Sequence, residues 1–162
     1  MGETLAFLKT AHVLSAAIVF GTGLGIAFFC WFGYRMAMRS GDIGTLRSVL
    51  HLTVIADAIF TAPAVLIQAI TGIALMYLYG WAWLSAWSVA VWSLFLLTGA
   101  CWLPVVAIQI RLSRTALQAE CTQALPDAFH ADFRRWLVLG IPAFSSVLLL
   151  YYLMVAKPLA VA

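Results

Sequence analysis

Three ionisable side chains stand inside or beside runs that are otherwise almost free of charge. His12 lies in Leu8-Lys9-Thr10-Ala11-His12-Val13-Leu14, Asp57 interrupts a second apolar run, and Lys157 follows a third, in Val155-Ala156-Lys157-Pro158-Leu159. Ionisable groups are costly in hydrocarbon, by a few kcal/mol or more, so where they occur they usually have a task. A neutral imidazole in a dry, aromatic-rich bundle is a ligand for iron or copper. A buried carboxyl must be protonated, paired or turned toward water, and so suits proton transfer or contact with a polar head group. A lysine at the end of a span can reach the surface, or set a cation beside a redox centre.

The elements that position these residues follow from composition. Of 162 residues 65% are hydrophobic and 9% charged, with mean hydropathy +1.03. A soluble domain carries about 25% charged residues, so the chain reads as an integral membrane protein in contact with a lipid bilayer. The net charge of +3 comes from arginines between apolar runs, a positive-inside pattern rather than a nucleic-acid surface. Cys30, Cys101 and Cys121 are odd in number and widely spaced, which argues against a disulfide framework or a structural zinc site. The first run is too long and glycine-rich for a signal peptide and is expected to stay as a helix.

Four runs reach the roughly 20 residues that a membrane helix needs: about 4–32, 50–79, 83–110 and 136–156. With short connections they predict an all-α, antiparallel bundle of four transmembrane helices, a single membrane domain. The loops Tyr34–Ser48 and Arg111–Arg135 hold seven basic residues, whereas the terminal segments hold only Lys9 and Lys157. The two loops are therefore expected in the cytoplasm, with both termini on the periplasmic side of a bacterial inner membrane. Tyr77, Tyr79, Trp81, Trp83, Trp87, Tyr151 and Tyr152 gather at the opposite end, as an aromatic belt does.

Spacing sharpens the candidates. Ser15, Ala16, Val19, Gly23 and Cys30 share a helical face with His12. That small-residue face suits a neighbouring helix or a flat cofactor, and Gly21, Gly23 and Gly25 read first as helix-packing residues. His12 itself reads either as a metal ligand or as a histidine bonded to the next helix. On the second helix Thr53, Asp57, Thr61, Gln68 and Thr71 fall in one narrow sector at 100° per residue, with Gly72 at its edge. The stripe reads equally as interhelical glue or as a proton path or quinone contact, and Arg111 or Arg135 are the expected partners of Asp57. Pro63 and Pro104 are expected to kink their helices. Met76 and Met154, near the level of His12, are candidate sixth ligands to iron, although packing is their commoner role. His51 lies roughly 30 Å from His12 by helix rise; it reads as interfacial, with a second haem as the other reading. His130 is expected in solvent.

Two resemblances bear on these residues. Leu-Lys-Thr-Ala-His-Val-Leu-Ser at the start and Val-Ala-Lys-Pro-Leu at the end resemble HemJ-type protoporphyrinogen oxidases and, for the first motif, CopD-type membrane domains. Ala56-Asp57, Phe60-Thr61-Ala62-Pro63-Ala64, Gln68, Thr71-Gly72, Trp102-Leu103-Pro104-Val105, Gln109 and Arg111 resemble an uncharacterised family of bacterial four-helix membrane proteins, a domain of unknown function, over nearly the whole chain. The HemJ resemblance implies haem b bound by His12, with Lys157 needed for activity. HemJ-type proteins also carry a lysine and a histidine on the third helix, and none lies between Trp83 and Ile110, so haem binding is the stronger implication.

The expectation is a multi-pass b-type haem protein engaged in electron transfer or haem-dependent oxidoreduction. His12 is the axial metal ligand, Met76, Met154 and Lys157 stand by the cofactor, and Lys157 and Asp57 take part in the chemistry. Quinone or a small oxidant, a redox partner and a second copy of the chain are its expected partners. The rival expectation is a transporter or copper-handling protein working through the stripe of the second helix; an accessory protein without a cofactor is the third.

Overall fold

The computed structural model describes residues 2–157. They form four long helices, each apolar enough to cross a membrane: α1 (Gly2–Ser40), α2 (Ile43–Tyr79), α3 (Ala86–Gln118) and α4 (Asp127–Ala156). No strand occurs among the described residues. The helices run antiparallel in chain order. α1 packs on α2, the first half of α2 also packs on α3, α3 lies along α4, and α4 returns to touch α1. One end of the bundle carries the arginines, which stand on the helix ends there, the other the tyrosine–tryptophan belt; these are the basic end and the aromatic end below.

Each helix is longer than its expected span, although α2 ends at Tyr79 and α4 at Ala156, as expected. At about 1.5 Å per residue the four are about 45–58 Å long, well beyond the roughly 30 Å of hydrocarbon. The expected loops thus shrink to Gly41–Asp42 and to residues 119–126. Hydropathy marks where a helix crosses lipid; these helices continue past that zone as amphipathic, arginine-bearing segments. The connection at the aromatic end lengthens instead, to residues 80–85, because Ser85 caps α3 by accepting a hydrogen bond from Ser88 N–H.

The connections are built from local capping chemistry. Gly41, at φ 75°, turns the chain after α1. The Asp42 carboxylate then accepts from Gly44 N–H at 2.8 Å and from the Thr45 hydroxyl at 2.6 Å, capping α2. Gly80, at φ 64°, ends α2 in the left-handed conformation. Arg47 closes the far end of α3: its guanidinium donates to the carbonyls of Ala116 and Ala119. A cation there satisfies orphan carbonyls and complements the helix dipole.

The packed core sits at the basic end. Leu46, Leu50, Ile108, Leu112, Phe129 and Phe133 are buried there, and Tyr34 stacks on Phe133 with ring centroids 4.1 Å apart. His130, expected in solvent, is part of this layer: the Tyr34 hydroxyl and His130 Nδ1 are 2.8 Å apart. The segment around His130 is helical rather than looped, and that places the ring inward. The glycines also correct an expectation. A Cβ added at Gly21, Gly23 or Gly25 would meet nothing within 4 Å, whereas at Gly33 it would lie 3.2 Å from Val49 and at Gly72 3.3 Å from His12. Close helix approach therefore occurs at Gly33 and Gly72.

α2 is not regular. Residues Asp57–Thr61 form one π turn, in which Ala62 N–H bonds to Asp57 O. Pro63 has no N–H to offer Ile59 O, so the ladder is broken one turn ahead of the proline, and the wide turn takes up the break. π turns of this kind occur often at functional sites.

Candidate functional site: a polar seam through the bundle

The stripe on α2 faces inward along its whole length. Thr53, Asp57, Thr61 and Thr71 are all buried and Gln68 is half-buried. α1 supplies the partners for most of it, in two groups.

The group toward the aromatic end centres on His12, and both its ring nitrogens are engaged. Thr71 donates its hydroxyl proton to Ile67 O at 2.6 Å, so its oxygen accepts from His12 Nδ1–H at 2.8 Å. Gln68 Nε2 then donates to His12 Nε2 at 3.0 Å, and Ser15 Oγ donates to Gln68 Oε1 at 2.6 Å. This direction of donors is satisfied throughout by a neutral imidazole protonated on Nδ1. A second arrangement is equally complete. If the Gln68 amide turns over, Oε1 accepts from a protonated Nε2 and the amide N–H donates to Ser15, whose hydroxyl has the His12 carbonyl at 3.0 Å as its acceptor. The network can therefore hold His12 with one proton or with two.

Nearer the basic end, the Thr22 hydroxyl bonds Ile18 O at 2.7 Å and lies 3.1 Å from Thr61 Oγ1. Cys30 Sγ lies 3.1 Å from Thr53 Oγ1. Between the two groups Ala64, 2% exposed, forms an apolar break. Asp57 points the other way, toward α3. It is 6% exposed, and the Thr61 hydroxyl, the Gln109 amide and the Trp102 indole N–H face its carboxyl. Arg111 and Arg135, its expected partners, do not reach it. Both pair with Asp132, at 3.1 and 3.3 Å, because α4 begins early enough to bring Asp132 beside them. No arginine or lysine accompanies Asp57 among the described residues' ion pairs.

The remaining candidates lie apart from this seam. Lys157 caps α4 at φ 43° and sets its ammonium over the Trp81 ring, 4.9 Å from the centroid. Lys9 does the same over Tyr79 at 5.3 Å. Both thus sit in the aromatic belt, where a cation–π contact holds a helix end at the interface. Met76 is buried and Met154 half-buried, and His51 is exposed at the basic end. Pro158, a residue that cannot continue a helix, lies outside the described residues.

The donor set can be tested against a haem or a copper ion. A metal ligand needs a free imidazole nitrogen, and neither nitrogen of His12 is free; Gly72 also lies against its Cε1 edge. Ligation requires Gln68 to release Nε2 and α1 to draw back from α2. Among the described residues no three His, Cys, Asp or Glu side chains converge as a metal site. The residues at His12 do not fit a haem in this conformation.

Sequence reasoning identified the stripe and His12 but missed Gln109 and Trp102 as companions of Asp57. The signal was present: Gln109 is a lone amide in an apolar run, seven residues from Trp102, and so on the same face of α3.

Comparison with curated proteins and with solved structures finds no match. A family model does match, covering residues 6–158, nearly the whole chain. With its four membrane-spanning helices, the chain belongs to the DUF2269 family of predicted integral membrane proteins.

Proposed function

We propose that this protein exchanges protons within the membrane, with His12 and Asp57 as the exchanging groups. One observation carries the reading: two titratable side chains at different depths are held by neutral hydrogen-bond donors and acceptors, and neither has an opposite charge beside it. Structural ion pairs fix a protonation state. Here the His12 network accommodates two, and the donors around Asp57 can solvate the anion while its apolar surroundings accept the acid. Intramembrane ionisable residues with this kind of support mark proton relays and solute paths. The surplus of arginine at one end orients that end to the cytoplasm, in a bacterial inner membrane.

Infrared titration of the protein reconstituted in lipid vesicles tests this. Between about pH 5 and 8 the spectra should show a carboxyl band absent from Asp57→Asn and an imidazole band absent from His12→Ala. If neither group changes protonation across that range, both are structural and the reading fails. The same preparation tests the haem alternative. A red protein with a b-type pyridine haemochrome, colourless as His12→Ala, would mean that Gln68 had yielded Nε2 to iron, and electron transfer to quinone or a small oxidant would replace proton exchange.

A further inference from the structure

At the basic end a cavity of about 290 Å³ opens between the last turns of α3 and the first turns of α4. Its floor is apolar, built from the core residues Leu112 and Phe129. Arg111, Arg114 and Thr115 line it from α3, and Asp132 lines it from α4. Positions 111, 114 and 115 are three and four residues apart, and so share one face of α3.

The charge around this cavity does not cancel. Asp132 is its one carboxylate, already shared by Arg111 and Arg135 at 3.1 and 3.3 Å. Glu120 and Asp127, the other acids between residues 111 and 135, do not line it. Arg111 gives only its Nε to Asp132, and Arg114 makes no ion pair among the described residues. Thr22, Thr71 and Thr98 each return their hydroxyl to the carbonyl four residues back; among the described residues the Thr115 hydroxyl makes no such bond. Two guanidinium groups and a hydroxyl thus meet at one cavity with unused donors. Planar forks of this kind match the oxygens of a phosphate.

Depth says where such a phosphate comes from. The apolar run of α3 ends at Ile110, and Arg111 is the first charged residue after it. Residues 111–115 rise about 6 Å beyond that point, and the head-group layer on each face of a bilayer is about 5–7 Å thick. The donors therefore stand at the level of lipid phosphates. The apolar floor suits the glycerol end of a lipid, for which a free phosphate has no equivalent. Basic pockets between membrane helices on the cytoplasmic side favour anionic head groups.

We infer that this cavity is a binding site for an anionic phospholipid, whose phosphate is held by Arg111 and Arg114 with the Thr115 hydroxyl beside it, while its glycerol end lies on Leu112 and Phe129. The site lies outside the seam of His12 and Asp57, so it stands or falls independently of the proton reading.

Native mass spectrometry of the full-length protein in detergent tests it, with phosphatidylglycerol titrated against phosphatidylcholine of the same acyl chains. One phosphatidylglycerol should bind saturably, about tenfold more tightly than phosphatidylcholine. Arg114→Gln, which breaks no ion pair, should weaken it about fivefold, the effect of one cation on an anionic lipid, while circular dichroism and gel filtration remain those of the parent. Arg39→Gln removes the same charge from the exposed end of α1, outside the cavity, and should leave binding unchanged. Equal binding of the two lipids would overturn the inference. So would an equal loss in Arg39→Gln and Arg114→Gln, which would show only the diffuse charge of the basic end. Displacement of phosphatidylglycerol by excess inorganic phosphate would overturn it too, since the site would then serve a free oxyanion.

Discussion

The two ends of this bundle are held together by different physics. At the basic end Leu46, Leu50, Leu112, Phe129 and Phe133 form a close apolar core. Toward the aromatic end, α1 and α2 meet through Ser15, Gln68, Thr71 and His12, joined by hydrogen bonds. The helices are longer than the hydrocarbon is thick, so the basic-end extension stands among head groups and water, where burying apolar surface drives association. Within lipid that drive is absent, and small residues and hydrogen bonds take its place. Stability is therefore concentrated at the basic end, and His12 sits where packing alone does not fix the helices.

The largest effect that checks this contrast comes from Phe133→Ala. Phe133 is buried between Tyr34 and Trp136, and emptying the site should cost about 3–5 kcal/mol. Denaturant unfolding of the detergent-solubilised protein measures it; a loss under about 1 kcal/mol would mean that the basic-end core is not what holds the bundle.

A smaller effect is expected from Gln68→Leu, which keeps the bulk of the side chain and removes its links to His12 and Ser15. Interhelical hydrogen bonds in membranes contribute about 0.6–1.7 kcal/mol each, so unfolding should move by about that amount while the His12 infrared titration changes markedly. If Gln68→Leu destabilises the protein as much as Phe133→Ala, the two ends do not differ in the way described.

The smallest effect concerns Asp42, in the turn at the basic end. The Thr45 hydroxyl, and after it the Gly44 N–H, hold its carboxyl below the usual carboxylate range. Because the folded value is the lower one, this cap contributes stability fully above the ordinary carboxylate pKa, and loses it as pH falls through the folded value. Asparagine caps without titrating. The Tm advantage of the parent over Asp42→Asn should therefore shrink on acidification below about pH 4; a difference independent of pH would show that Asp42 caps α2 no better as an anion.

The contrast also explains what could be read from the sequence. Four apolar runs and two arginine-rich connections gave the helices and their antiparallel order, because hydropathy follows directly from residue type. The stripe Thr53–Thr71 was legible because its members recur at helical spacing. Helix lengths were legible only in part: the polar residues of 111–135 allowed an extension of the third helix, and Arg111–Gln118 is helical, but hydropathy alone reads such segments as loop and does not set where they end. The partners of His12 were not assigned either: Ser15 and Gln68 were visible, but only the approach of α1 to α2 at Gly72 joins them to it. The true surroundings of Asp57 depend on which side of α2 faces α3, and that depends on the π turn, which the proline implies but does not locate.

That turn has a consequence for how α2 is read by its neighbours. A wide turn adds one surplus residue, and so puts the two halves of one continuous helix out of phase. The half before it is set against α1 and α3 together, the half after it against α1. Asp57 and Thr61 lie four residues apart on nearly one face; the Thr61 hydroxyl faces the Asp57 carboxyl and also lies beside Thr22 on α1, while Asp57 meets Gln109 and Trp102 of α3. A single rod thereby addresses two different clients. Removal of one residue from the turn would restore a uniform winding, and the half before it would then be rotated by about 100° relative to the half after it.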